Sequence, residues 1–215
     1  MKRLVVFDID DTLTRSMSID ERLFVRATKE ALGIEHINPD WSTYRNVTDS
    51  GIIEEIVENH ECNGDVTAVR DRFMALLRSE SQAKPFQEVP GARRMLQTLR
   101  QHPDFECALA TGAWRESALI KLRSAGFEID GLPLATCDDS PQRKEIVQVA
   151  IERAGSQYHL SPDTPVTLIG DRLWDLQTAT TLQLHFVGVG QKSGAKHAVE
   201  DFTDVDSFLK LVGQD

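Results

Sequence analysis

The sequence is poor in cysteine, short of positive charge and without a long apolar run. Its three cysteines, Cys62, Cys107 and Cys137, lie far apart and form no CxxC pair or zinc-ligand spacing. An odd, sparse set argues against a disulfide scaffold and fits a reducing cytoplasm. Lys and Arg number 24 against 34 Asp and Glu, a formal charge of −10. Such a chain is unsuited to non-specific nucleic-acid binding or to an anionic membrane surface, because both demand cations. A small anionic substrate would need local cations or a metal to reverse the field at its site. No stretch approaches the ~20 apolar residues of a membrane span. The apolar run at residues 4–7 is too short for the core of a signal peptide. Internal repeats and low-complexity segments are also missing. These absences leave a soluble, cytoplasmic globular protein as the expectation. With 215 residues, 40% of them hydrophobic, the chain can bury one core and carry a subdomain besides.

Residues 4–9 read as a buried strand, short, apolar and not alternating, as in a parallel sheet covered on both faces. The pattern then changes. Ser18 and Glu21 have the spacing of a capping box, opening a helix that Gly33 stops. Further helices are expected at residues 51–59 and 66–79, and no convincing strand lies between 15 and 85. After Pro85 and Pro90, short apolar runs at 106–111, 133–136, 166–170 and 185–189 alternate with helical segments at 91–101, 115–125, 142–154, 175–182 and 205–212. That alternation means βαβ units and a parallel sheet. The expected organisation is a doubly wound, Rossmann-like α/β core of residues 1–14 and 86–215, interrupted by an α-helical block at 15–85.

Chemistry gathers at four places. Asp8, Asp10 and Asp11 stand just beyond the first strand. Three carboxylates so close repel one another, and a hard divalent cation such as Mg²⁺, which prefers oxygen ligands, would compensate them. Thr111 and Gly112 end a later strand, where a hydroxyl and backbone N–H groups can cradle phosphate. Arg143 and Lys144 open a helix, where cations run against the dipole unless both serve a bound anion. Gly170 permits a tight turn before Asp171 and Asp175, two carboxylates four apart that can face one point. Each signal alone also has a bland explanation: a polar loop, a helix cap, solvated surface charge or a turn carboxylate.

Taken together, Asp8-x-Asp10-x-Thr12, Thr111, Lys144 and Gly170-Asp171-x-x-x-Asp175 resemble the haloacid dehalogenase-like hydrolase superfamily, across essentially the whole chain. The pattern is most similar to phosphoglycolate-phosphatase-type members, and the helical block resembles their cap domain. The resemblance implies a Mg²⁺-dependent phosphatase for a small phosphorylated metabolite. In it, Asp8 is the nucleophile forming an aspartyl-phosphate and Asp10 the general acid and base. An acid–base carboxylate is not needed to expel a halide, which speaks against the dehalogenase branch. Metal would be held by the Asp8 carboxylate, the Asp10 carbonyl and Asp171, with Asp175 bound directly or through water. Thr111, Gly112 and Lys144 would bind the phosphoryl oxygens.

Two departures stand out. The position after the second Asp, usually Gly, is Asp11, which adds charge near the metal. Glu145 rather than Pro follows Lys144, and Arg143 is an alternative for the functional cation. Arg15, Tyr44, Arg45, Thr48 and Asp49 are candidates for substrate contacts from the cap, while Trp41 and Tyr44 fit packing within it. Cys107 reads as a small core residue. The six histidines show no ligand spacing, and Lys29, in the first cap helix, leaves a Schiff-base phosphonate hydrolase unsupported. A sugar phosphomutase, or a phosphoryl-accepting signalling module without turnover, are the competing readings. Oligomeric state is not legible.

Overall fold

The computed structural model describes residues 2–60 and 65–213; Cys62 lies outside them. In chain order the elements are β1 (Arg3–Phe7), α1 (Met17–Leu32), α2 (Asp49–Asn59), α3 (Val66–Ala83), α4 (Ala92–Gln101), β2 (Phe105–Ala110), α5 (Arg115–Ser124), β3 (Leu134–Ala135), α6 (Arg143–Tyr158), β4 (Val166–Gly170), α7 (Leu173–Thr181), β5 (His185–Val189), β6 (Ala198–Val199) and α8 (Val205–Val212). A single 3₁₀ turn, Trp41–Thr43, lies between α1 and α2. The fold is α/β: six parallel strands in the order β3-β2-β1-β4-β5-β6.

Position in the sheet follows from composition. β1 is central, and its Leu4, Val5, Val6 and Phe7 are buried because both faces are covered. In register, Val5 sits opposite Cys107 on one side and Thr167 on the other. Cys107 is the core residue expected, and burial pushes its thiol up to about 12. Phe7 also meets Phe202 and Phe208, which fasten the C-terminal segment to the back of the sheet. Successive connections run outward from β1 to β2 and β3, then return to β4 on its other side. The strand order therefore reverses beside β1, and a crevice outside the carboxyl ends of the strands is the usual consequence.

The segment expected to be helical holds α1, the 3₁₀ turn, α2 and α3, with no named strand among its described residues. Its two connections to the sheet are tied together. Arg15 N–H donates to Gln87 O, and Val89 N–H donates to Leu13 O.

Some boundaries move. The capping-box expectation at Ser18 and Glu21 is not met: α1 starts at Met17, with Ser16 in the N-cap position. Ser16 makes no side-chain cap bond because its hydroxyl is committed to Asp10. α6 continues four residues beyond the expected end, to Tyr158, and α7 begins two residues early, at Leu173. β6 carries only two residues, too short a run for periodicity to register. Among the described residues, no helix is long and apolar enough to cross a membrane.

Candidate active site

The carboxyl ends of β1 and β4 bring Asp8, Asp171 and Asp175 together. All three are buried, and one carboxylate oxygen from each lies within 4.8 Å of the others. Backbone geometry sets this up. Asp8 N–H donates to Ile169 O at 2.9 Å, continuing the β1–β4 pairing one residue past the strand. Asp175 Oδ2 accepts the Arg172 N–H at 3.1 Å, so the side chain caps the start of α7 while turning toward Asp8. Gly170 is required here: a Cβ at that position would lie 2.5 Å from Asp175 Cβ.

Electrostatics in this cluster are unbalanced. Burial, then repulsion from Asp175, pushes Asp8 well above the ordinary carboxylate range. Burial and Asp175 likewise raise Asp171 to about 7, with Arg172 opposing. Asp175 is raised by burial against the pull of Arg143. Asp171 Oδ1 is buried without a hydrogen-bond partner among the described residues. Three converging carboxylates with an orphaned oxygen are a donor set that fits a hard, oxygen-seeking cation. The cluster could hold a metal ion.

Donors also stand around Asp8. Thr12 Oγ1 donates to Asp8 Oδ2 at 3.3 Å. Arg143 Nη1 lies 3.8 Å from Asp8 Oδ1 and 2.8 Å from Asp175 Oδ1. Thr111 Oγ1 accepts the Ala113 N–H at 3.2 Å, which leaves its own proton for another acceptor. Asp8, Thr111, Gly112, Arg143 and Asp171 share the lining of one cavity of about 60 Å³.

Lys144 is not brought to this cavity. It is exposed, whereas Arg143 lines the site. The reason is helical phase. Arg143 continues the buried face of Val147, Ala150 and Ala154, and its neighbour points roughly 100° away. Asp11 does not join the acidic cluster either. Its carboxylate pairs with Arg172 at 3.2 Å, and its backbone has φ 55°, the left-handed region that a glycine would take without strain.

Asp10 belongs to a second cluster that sequence reasoning missed. Lys121, on α5, is wholly buried and contacts both Asp10 oxygens at 2.6 and 2.8 Å. It also pairs with Asp20 of α1. Ser16 Oγ donates to Asp10 Oδ1 at 2.5 Å. Burial opposes the lysine charge, but the attraction of Asp10, Asp20 and Asp49 holds its pKa above the ordinary lysine value. Burial raises Asp20 to about 8, with Lys121 opposing, and Asp49 to about 6. The signal for Lys121 was present: it falls at helical spacing with buried Ala118, Leu122 and Ala125, a polar residue on an apolar face.

The helical segment closes directly on the strand ends. Arg143 Nε donates to Val47 O at 2.8 Å, and Asp49 N–H donates to Gly112 O at 2.8 Å. Asp49 Oδ2 accepts the Trp114 N–H at 3.0 Å, and Thr48 Oγ1 donates to Pro141 O at 2.9 Å. Of the expected cap contacts, Thr48 and Asp49 line the cavity; Arg15, Tyr44 and Arg45 do not. Arg45 is turned outward to Glu55 and Glu58. Trp41 both lines the cavity and packs against Phe24 and Tyr44.

A family model for haloacid dehalogenase-like hydrolases matches residues 2–181. The chain belongs to that family of hydrolases. No curated protein matches the sequence. Among solved structures, a hydrolase from Pseudomonas syringae is similar over 98% of each chain, with a TM-score of 0.74 and 18% identity. CbbY from Rhodobacter sphaeroides, solved in complex with phosphate, is similar over 95% of this chain and 96% of that one, with a TM-score of 0.72 and 15% identity. A putative phosphoglycolate phosphatase from Lactobacillus plantarum covers 98% of this chain and 100% of its own, with a TM-score of 0.65 and 18% identity. At these identities the likeness is one of fold.

Proposed function

We propose that this family member is a Mg²⁺-dependent phosphatase acting on a small phosphate monoester. The observation that supports it most is the convergence of Asp8, Asp171 and Asp175 beside Thr111, Gly112 and Arg143 in one cavity. Asp8, Asp171 and Asp175, with the Asp10 carbonyl, would hold the ion. When bound, Mg²⁺ supplies positive charge that lets a phosphoryl group approach these carboxylates. Residues 15–85 act as the cap, keeping water away from the reacting groups.

Asp8 is positioned as the nucleophile. One of its carboxylate oxygens attacks phosphorus, the ester P–O bond breaks, and an aspartyl-phosphate forms. The leaving oxygen takes a proton from Asp10. In the second half, Asp10 removes a proton from water, whose oxygen attacks the same phosphorus, releasing phosphate and restoring Asp8. Ser16 and Lys121 fix Asp10 in orientation throughout. The Thr111 hydroxyl, the Gly112 N–H and the Arg143 guanidinium bind the non-bridging oxygens. Arg143 thus takes the place expected of Lys144.

Asp8→Asn and Asp10→Asn test the assignment with release of inorganic phosphate from an aryl phosphate. Asp10→Asn should slow turnover by ~10²–10⁴-fold, and Asp8→Asn should lose it entirely with the fold retained by circular dichroism. Wild-type rates in Asp8→Asn would overturn the reading. Phosphate appearing in solution, rather than returned to an isomeric product, separates it from a phosphomutase.

A further inference from the structure

We propose that the alcohol this enzyme releases carries a positive charge: the substrate is the phosphate ester of a compact organic cation, such as an amino alcohol. The inference rests on the phosphatase reading and specifies its substrate class. Its basis is the wall of the cavity that the helical segment contributes. That wall is lined by the acidic residues Asp20, Glu21 and Asp49 together with the aromatic residues Phe24, Trp41 and Phe73. Carboxylates interleaved with aromatic faces are the chemistry that recognises ammonium groups.

Asp20 is the anchor. The residue is buried, at 9% relative exposure, and it lines the cavity. Its Oδ2 is taken by Lys121, but its Oδ1 has no hydrogen-bond partner among the described residues. A buried acceptor left unpaired is costly, and an N–H donor on the substrate would satisfy it.

Among the described residues of the helical segment, no cationic side chain lines the cavity. The nine lysines and arginines of residues 15–85 are all absent from the cavity lining. Seven of them are ion-paired with carboxylates elsewhere. Lys121 does not line the cavity and is shielded by Asp10 and Asp20. Arg143, the lining's one guanidinium, is bound to Asp175 and to the Val47 carbonyl. A carboxylate or second phosphate on the leaving group would therefore face Glu21 and Asp49, beside the Lys121-paired Asp20, and no lysine or arginine of the wall. Like charges brought together where burial lowers the dielectric are unfavourable. The small cavity, about 60 Å³, favours a compact group.

The test compares phosphoethanolamine, ethyl phosphate and 2-phosphoglycolate, three two-carbon esters that differ in leaving-group charge, by phosphate release with Mg²⁺ present. The expected order of kcat/KM is phosphoethanolamine, then ethyl phosphate, then 2-phosphoglycolate, with at least a 100-fold span. Asp20→Asn and Asp49→Asn should each shrink that span by 10-fold or more. The wild-type order stands on its own should either variant fold poorly. Equal rates, or a preference for ethyl phosphate or 2-phosphoglycolate, overturn the cation assignment while leaving the phosphatase intact. Hydrolysis of none of these esters, nor of an aryl phosphate, overturns the phosphatase reading and this inference with it.

Discussion

Two buried acidic clusters lie side by side at the carboxyl ends of the strands, and they are neutralised in opposite ways. Around Asp10 and Asp20 the cation is built in: Lys121 is fully buried and its charge is maintained by the carboxylates around it. Around Asp8, Asp171 and Asp175 the protein supplies too little. Arg143 and Arg172 reach the edges, and all three carboxyls remain raised above their ordinary range. The difference separates a cluster that brings its own cation from one that needs a cation supplied. The Asp8 cluster, lacking its own counter-charge, has an affinity for a cation from outside, whereas in the Lys121 cluster Asp20 Oδ1 is the oxygen left unpaired among the described residues.

Removing the built-in cation should have the largest effect on stability. Lys121→Met leaves two buried carboxylates facing each other, and breaking a buried pair costs about 3–5 kcal/mol. Urea denaturation should show that loss in the midpoint, while Asp171→Asn, which relieves repulsion, should leave the metal-free protein as stable as wild type or more so. Equal destabilisation by both variants would erase the distinction between the clusters.

Cation binding should come next. Mg²⁺ at 100 times its Kd should stabilise wild type by about 2.7 kcal/mol, read as a rise in melting temperature. Asp171→Asn should respond weakly, and Lys121→Arg should respond as wild type does. A rise of the same size in Asp171→Asn would place the ion elsewhere.

The smallest effect is a slope with pH. A carboxyl whose folded pKa lies above its unfolded value holds its proton longer in the native state, so stability falls as pH rises between the two. For Asp171 that window runs from about 4 to about 7. Metal-free protein should lose stability across it, with a limit of about 1.4 kcal/mol per pH unit for each such group. Asp171→Asn should flatten the curve, and saturating Mg²⁺ should reverse it. Stability that rises with pH in the metal-free protein would show that this cluster is not under repulsion.

How far these clusters were legible in the sequence depended on the distance between their members along the chain. Asp8 and Asp10 follow a strand by a fixed two-residue spacing, and Asp171 and Asp175 follow another across one turn, so local patterns marked them. Arg143 and Lys144 were adjacent, and choosing between them needed only the phase of α6, readable from Ile146, Val147, Ala150 and Ala154. Lys121 was harder. Its helix was expected, but its partners Asp10 and Asp20 lie 111 and 101 residues away, and no local rule pairs them. Ser18 and Glu21 satisfy a local capping rule that draws attention from Ser16, whereas the folded chain uses the Ser16 hydroxyl on Asp10.

The sequence by itself determined the parallel α/β core, the helical interruption and the strand ends where the acids gather. Those are consequences of short-range periodicity and turn chemistry, which neighbouring residues set without help. Tertiary structure alone decided which charges are paired and which are left wanting. Burial removes the water that would otherwise screen every carboxylate alike, and only the packing of α1, α5 and α6 against the strand ends determines where a lysine or arginine replaces it.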